Sequence, residues 1–309
     1  MHIRALNSVL FKHFFKNKYN RRSMACSRYE YVKGYEQDDR ILPNVWIVIR
    51  IDGKKFHKFA NTHKFEKPND ENALHVMNVA GIGVMQEFRD IVLGYGQSDE
   101  YSFVFRKDTD AFKRRAAKLL TYVTSLFSTS YVMSWPKWMQ QPLAYAPCFD
   151  GRIILYPSDE NLRDYLSWRQ ADVHVNNLYN TAFWKLVLES GLSNQQAEQR
   201  LRGTLSADKN ELLYQQFGIN YNNMPAMYRK GTILLRKRVL QFGQDEQDKG
   251  RQAIVPLHED LIGAEFWRKH PEILGKYVPG KQQLLDEKSL PKLLEQQLTD
   301  HMEEKARIS

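Results

Sequence analysis

The sequence predicts an α+β fold: a split βαβ antiparallel sheet with helices on one face, followed by a mainly helical C-terminal extension. Three observations carry this. Between residues 45 and 156 the apolar periodicity runs strand, helix, strand, strand, helix, strand. The two central strand-like runs are joined by a short polar segment containing glycine, as in a hairpin. From Asn161 onward the pattern is mainly helical.

The elements follow in order. Val45–Ile51 is a short run rich in β-branched residues, stopped by Asp52-Gly53, which marks a buried strand and its turn. Pro68, Asn69 and Asp70 offer a helix start, and Leu74, Met77, Val84, Met85 and Phe88 supply the apolar face of a helix ending near Arg89. Ile91–Tyr95 and Glu100–Phe105 form the hairpin. Phe112, Ala116, Leu119, Val123, Phe127 and Tyr131 recur at helical steps, so a second helix is expected from about Phe112 to Ser134. Gly151–Tyr156 is the fourth strand, ended by Pro157. Ser193 and Gln196 resemble a capping box, and Ser206 or Asp208 is placed to cap a further helix. Lys230–Arg236 reads as a returning strand, 241–252 as a polar loop, and the chain beyond Lys276 as a loose helical tail. The expected division is a leader (1–28), the α+β domain (29–160), a helical region with the returning strand (161–240), and a loop and tail (241–309).

Composition narrows the class. The chain has 309 residues and a 42% hydrophobic content, enough for a real core. No apolar run approaches the roughly 20 residues that span a bilayer. Two cysteines, Cys26 and Cys148, make neither a disulfide framework nor a paired zinc motif. The net charge of +9 is mostly local. Seven of the 45 basic residues and none of the 36 acidic ones fall in residues 1–29, so the rest of the chain carries 38 against 36. Ile3, Leu6, Leu10 and Phe14 lie at helical spacing among these cations. This basic amphipathic leader is expected to target mitochondria, with initiation at Met24 giving a cytoplasmic form; a disordered extension is the plainer reading.

The chemistry centres on acids. Asp52 ends the first strand and Asp99 sits in the hairpin between the second and third. In a split βαβ sheet the first and third strands are neighbours, so the two carboxylates can face each other. With a nearby carbonyl they form an all-oxygen site suited to Mg²⁺, and a metal pair about 4 Å apart can clamp the attacking and leaving oxygens of phosphoryl transfer. Both dipeptides are also ordinary turns. Glu100 tilts the balance, since an acid opening an apolar strand is costly unless paired or metal-bound. No P-loop is present, and Gly81-Ile-Gly83 sits within a helical pattern. Cations are available in Lys54, Lys55, His57 and Lys67, and in Lys113, Arg114, Arg115 and Lys118 at the start of the second helix. These last are either a phosphate site or a solvated face. His174, Asn177, Leu178 and Thr181 share an unusually polar helix face, fit for substrate contact or for satisfied burial.

Several long motifs together resemble the tRNA-His guanylyltransferase family. They are Arg50–Gly53 with Phe56-His57, Lys67–Asp70, Tyr95–Phe103, Phe149–Arg152, Asp164–Asp172, the His174 motif and Gly203–Asn210. The likeness spans about Tyr29 to Lys237, and Pro256–Leu274 is also family-like. It implies a polymerase-palm-like catalytic domain working in the 3′-to-5′ direction. ATP would adenylylate a tRNA-His 5′-phosphate, the 3′-hydroxyl of GTP would displace AMP, and pyrophosphate would then be removed. The resemblance implies two Mg²⁺ on Asp52, the Gly53 carbonyl and Asp99, with Glu100 in the same acidic motif. It implies nucleotide contacts from Lys54, Lys55, Phe56, His57, Lys67, Asn69, Ser98, Arg115 and Lys118. It also implies tRNA or activation-step roles for His174, Asn177 and Lys209, and a homotetramer. A palm-type nucleotide cyclase and a non-catalytic RNA-binding module are the competing readings. The first has no use for the His174 and Lys209 motifs, and the second has none for the three acids.

Overall fold

The computed structural model describes residues 27–239, 251–275 and 284–285. The leader before Ser27, with its Met24 start, and most of the tail lie outside the described residues. The chain forms two compact units, residues 1–39 and 40–309. In the first, a short 3-10 helix, Glu30–Tyr35, buries no side chain.

The second unit is built on a sheet whose strands are β1 (Trp46–Gly53), β2 (Ile91–Gln97), β3 (Glu100–Phe105), β4 (Phe149–Tyr156), β5 (Thr232–Val239) and β6 (Arg251–Leu257). Their order is β4-β1-β3-β2-β5-β6, antiparallel throughout. A two-residue strand, β7 (Leu284–Leu285), runs parallel to β5 in the segment expected as a loose helix. The first four strands have the split βαβ order, with β1 and β3 adjacent as expected.

Two helices of the expected layer pack on one face: α2 (Glu71–Glu87) and α3 (Ala116–Trp138). They cover Ile47, Ile49, Ile51, Tyr101, Phe103 and Phe105 in the largest apolar cluster. Asp70 caps α2 by accepting the Ala73 N–H at 2.9 Å. A seven-residue helix, α1 (Phe56–Thr62), precedes them and was not expected from the sequence. The helical extension does not stand apart. The first half of α4 (Asp159–Leu188) lays Leu162, Tyr165, Leu166 and Val173 on the other face, against Trp46, Val48 and Val104. This is why β1 reads as a nearly continuous apolar run: both of its faces are covered. The second half of α4 packs with α5 (Asn194–Leu201) and α6 (Ser206–Phe217) in a separate cluster around Leu186, Leu201 and Leu213. Ser193 and Gln196 form the expected capping box. Asp208 accepts the Leu205 N–H at 2.7 Å. The short helices α7 (Ala226–Lys230) and α8 (Ala264–Lys269) flank β5 and follow β6.

Two expectations need correction. Of the polar segment 241–252, Arg251 and Gln252 open β6 rather than lying in a loop, and 241–250 lie outside the described residues. The second helix starts at Ala116, not Phe112, because Phe112, Lys113 and Arg114 all adopt positive φ. Such a run of left-handed residues is strained and must be held by its surroundings. Arg114 supplies the hold. Its buried guanidinium donates to the carbonyls of Ile41, Leu42, Val45, Lys107 and Thr109 at 2.7–3.3 Å. It is therefore a strut between segments and no part of a phosphate site. Arg114→Ala should cost about 3 kcal/mol or more by urea denaturation, because several buried carbonyls lose a charged donor.

Candidate active site

The meeting of Asp52 and Asp99 is a backbone matter first. The Gly53 N–H at the end of β1 donates to the Asp99 carbonyl at 3.0 Å, and the Lys54 N–H donates to the Cys148 carbonyl at 2.8 Å. These bonds pin the strand end to the β2–β3 hairpin on one side and to the start of β4 on the other. Gly53 admits no side chain, since a Cβ there would lie 2.2 Å from the Phe56 ring. Ser98 turns the hairpin with a φ of 48° and donates its hydroxyl to Asp99 Oδ1 at 3.0 Å. Across the strands Asp52 is paired with Glu100 on β3 and with Asp150 on β4, so three acids form one row.

The electrostatics separate the three acids of the expected site. Burial pushes the Asp99 carboxyl up to about 6, against the Ser98 hydrogen bond, while Asp52 and Glu100 repel its charge. Asp52 is also raised, by burial and then by Asp150. Neither makes an ion pair among the described residues. Glu100 differs: burial raises it, but Arg169 Nη1 holds Oε2 at 3.0 Å, Gln97 donates to Oε1 at 3.1 Å, and Arg50 stands 3.7 Å away. Its charge is met by a direct ion pair, whereas Asp52 and Asp99 make none among the described residues, although Arg152, Arg50 and Arg169 act on Asp52 from a distance.

These acids border a cleft of about 750 Å³, of the size that holds a small ligand. Of the expected residues, Asp52, Phe56, His57, Lys67, Asn69, Ser98, Asp99, Glu100 and Asn177 line it. Lys67 Nζ lies 5.4 Å from the Trp184 ring, and burial lowers its pKa against the pull of Asp70. The Asn69 amide nitrogen is buried without a hydrogen-bond partner, a donor that a ligand oxygen would satisfy. Asn69→Ala should therefore leave the melting temperature nearly unchanged while raising nucleotide KM roughly tenfold.

Gly53, Lys54, Lys55, His174, Lys209, Arg115 and Lys118 fall outside the lining. Gly53 is buried beneath Phe56, and Lys54 and Lys55 are exposed beyond the strand end. Asn177 spends its amide on the Tyr221 hydroxyl at 2.9 Å, and His174 sets its ring edge-on to the same tyrosine. Lys209 donates to the Thr204 carbonyl at 2.8 Å and stands behind Tyr179, a lining residue.

Arg115 and Lys118 are not among the residues that line the cleft. Phe112, just before α3, packs on Phe88 at the far end of α2, whereas His75 near the cleft meets Trp138 at the other end of α3. Lys118 to Trp138 spans about 30 Å of helix. Helical periodicity places the two cations on a helix but cannot say which end of it meets the site.

Sequence reasoning missed Arg169, Gln170, Asn78 and Trp184. Gln170 bridges the carbonyls of Lys230 and Glu259 and accepts the Leu261 N–H. Asn78 joins Tyr101 to Thr232 on the cleft floor. A signal existed for Arg169: Leu162, Tyr165, Leu166, Arg169 and Val173 share one helical face, so an arginine occupies a core position.

Paired carboxylates without a direct ion pair, on a split βαβ sheet and opening on a cleft with a cation, an amide donor and aromatic walls, define a palm-type nucleotidyltransferase. The family model described as tRNAHis guanylyltransferase matches residues 29–157, and the Thg1 C terminal domain matches 160–274. A probable tRNA(His) guanylyltransferase of Drosophila melanogaster is 77% identical over 89% of this chain and 94% of its own. The crystal structure of the Saccharomyces cerevisiae enzyme is 46% identical, with a TM-score of 0.65, over 67% of this chain and 93% of that one. A bacterial guanylyltransferase-like protein in complex with ATP shares the fold at 21% identity and a TM-score of 0.63, over 81% of this chain and 99% of that one. The chain belongs to the tRNA-His guanylyltransferase family.

Proposed function

We propose that this chain adds a guanylate to the 5′ end of tRNA-His. ATP adenylylates the tRNA 5′-phosphate, the GTP 3′-hydroxyl displaces AMP, and pyrophosphate is removed. The observation that carries this is the pair Asp52 and Asp99, neither in a direct ion pair among the described residues, pinned together by the Gly53–Asp99 backbone bond at the border of the cleft. ATP as a ligand is supported by the complex described above, and guanylate transfer to tRNA-His by the names of the relatives.

Two Mg²⁺ fit the donor set. Among the described residues no three His, Cys, Asp or Glu side chains converge as a metal cluster, but Mg²⁺ commonly takes one or two carboxylates and completes its shell with water and substrate phosphates. Asp52, the Gly53 carbonyl and Asp99 would hold the ions, which supply charge to the attacking and leaving oxygens. Lys67 meets phosphate charge and Asn69 donates to a ligand oxygen. The aromatic wall at Phe183 and Trp184 receives a base. Glu100, held by Arg169, positions the hairpin instead of binding metal. Arg115 and Lys118, which do not line their own cleft, serve a nucleotide of a neighbouring copy within a homotetramer. His174, Asn177 and Lys209 keep the helical wall, and through it tRNA contact, in place. The basic leader directs one product to mitochondria, and initiation at Met24 leaves another in the cytoplasm.

The test is purified protein with ATP, labelled GTP and Mg²⁺, given tRNA-His or, as control, tRNA-Phe. Label at the 5′ end of tRNA-His alone is the expected result. A cyclic product from GTP without tRNA would overturn the proposal. So would chelator-insensitive tRNA binding without incorporation.

A further inference from the structure

The α4-facing side of β4 carries a surface that the cleft does not include. Asp150, Arg152, Ile154 and Tyr156 lie on this face because their register partners Asp52, Arg50, Val48 and Trp46 do. Arg50 and Arg152 are directly opposed across the two strands. Like charges in that position are destabilising unless anions share them; here Glu100 stands 3.7 Å from Arg50 and Asp150 3.3 Å from the half-exposed Arg152. A third guanidinium, that of Arg169, arrives from α4. All three act electrostatically on Asp52, and those of Arg50 and Arg169 act on Tyr156, so they gather beside the acid row. The buried Nε of Arg50 and of Arg169 both lack a hydrogen-bond partner.

An aromatic group stands next to these cations. Trp168 is 55% exposed, and the Arg169 guanidinium lies 3.4 Å from the centre of its ring. Tyr165 is 6.3 Å from Trp168 and 5.3 Å from Tyr156. A large aromatic left in water beside clustered guanidiniums is the combination that single-stranded nucleic acid uses, stacking on the ring and phosphate on the cations. A paired duplex buries its base faces and cannot stack this way.

We infer that this shelf holds the unpaired end of the RNA acceptor, with a backbone phosphate on Arg152 and a base on Trp168. The inference rests on the reading of the chain as a transferase acting at an RNA 5′ end. Asp52 then stands between two ligands. It borders the nucleotide cleft on one side, and on the other it neighbours Asp150 at the edge of the shelf.

The test compares Trp168→Ala, Trp168→Phe and Arg152→Ala with wild type, all as full chains. Binding of fluorescein-labelled, 5′-phosphorylated tRNA-His is followed by anisotropy, and KM values for tRNA, ATP and GTP are measured alongside. Trp168→Ala should weaken tRNA binding roughly tenfold or more, and Trp168→Phe should restore most of it. Arg152→Ala should weaken binding and flatten its log–log salt dependence by roughly 0.7. Melting temperatures and the KM for GTP should hold. Unchanged tRNA binding in Trp168→Ala would overturn the inference, as would a parallel loss of tRNA and GTP affinity. The binding readout needs no chemistry. Wild type that binds through Trp168 yet transfers no guanylate would sink the transferase reading and keep the shelf. Transfer by wild type with an indifferent Trp168→Ala would do the reverse.

Discussion

Asp99→Asn is expected to lose guanylate transfer by roughly 10³-fold or more while its fold persists, because one carboxylate of the proposed metal pair supplies several kcal/mol of transition-state stabilisation. The same change should make the metal-free protein more stable, and the pH dependence identifies the cause. Asp99 has a carboxyl raised to about 6 by burial in the folded state. The folded state therefore holds this proton more tightly than the unfolded chain, and the stability of the protonated form is lost as pH rises from about 4 through 6. Asparagine is neutral throughout. In chelator, the advantage of the variant should be absent near pH 4, grow through pH 6 and level off at about 3 kcal/mol. Mg²⁺ should raise the melting temperature of wild type at pH 7.5 and leave that of the variant where it was. Urea denaturation across pH, with and without Mg²⁺, measures both effects. Near-normal transfer in the variant, or an advantage independent of pH, would remove Asp99 from the site.

The second large effect belongs to Glu100 and Arg169. Both are buried, and their ion pair spans 69 positions of sequence at 3.0 Å. Removing one partner strands the other charge in a poorly solvated place, which costs about 3–5 kcal/mol. Arg169→Met should therefore destabilise strongly at neutral pH. Part of that loss should return on acidification, since Glu100 without its guanidinium takes up a proton more readily. The double variant Arg169→Met, Glu100→Gln should recover most of the stability, because no bare charge remains. Denaturation of the two single variants and the double one gives the coupling directly. Additive losses would mean that the pair does not act as a unit.

How much of this was legible depended on range. Val45–Ile51, Asp52-Gly53 and the Gln97–Glu100 hairpin announce themselves in a few consecutive residues, because strand propensity and turn chemistry are local. The element missed at β6 mixes polar residues with Pro256, which sheets tolerate at an edge and which masks the strand pattern. The missed α1 begins at a left-handed Lys55 without a side-chain cap and is too short for periodicity to register. At Phe112–Arg114 the opposite happened: helical spacing continued through residues whose backbone is left-handed, held there by carbonyls of residues 41–45 and 107–109.

By itself the sequence determined the α+β class, the order of the elements, the pair Asp52 and Asp99, and through its long motifs the family. Only the tertiary structure decided that Glu100 is ion-paired with Arg169 while Asp52 and Asp99 make no direct ion pair among the described residues. Only it showed that Arg115 and Lys118 are not among the residues lining the cleft. It alone set Arg152 and Trp168 beside the acid row. The physical reason is common to all three. Periodicity and turns are written within a few residues of one another, whereas which charge meets which depends on strand register and helix direction, and these are set by burial between segments far apart in the chain.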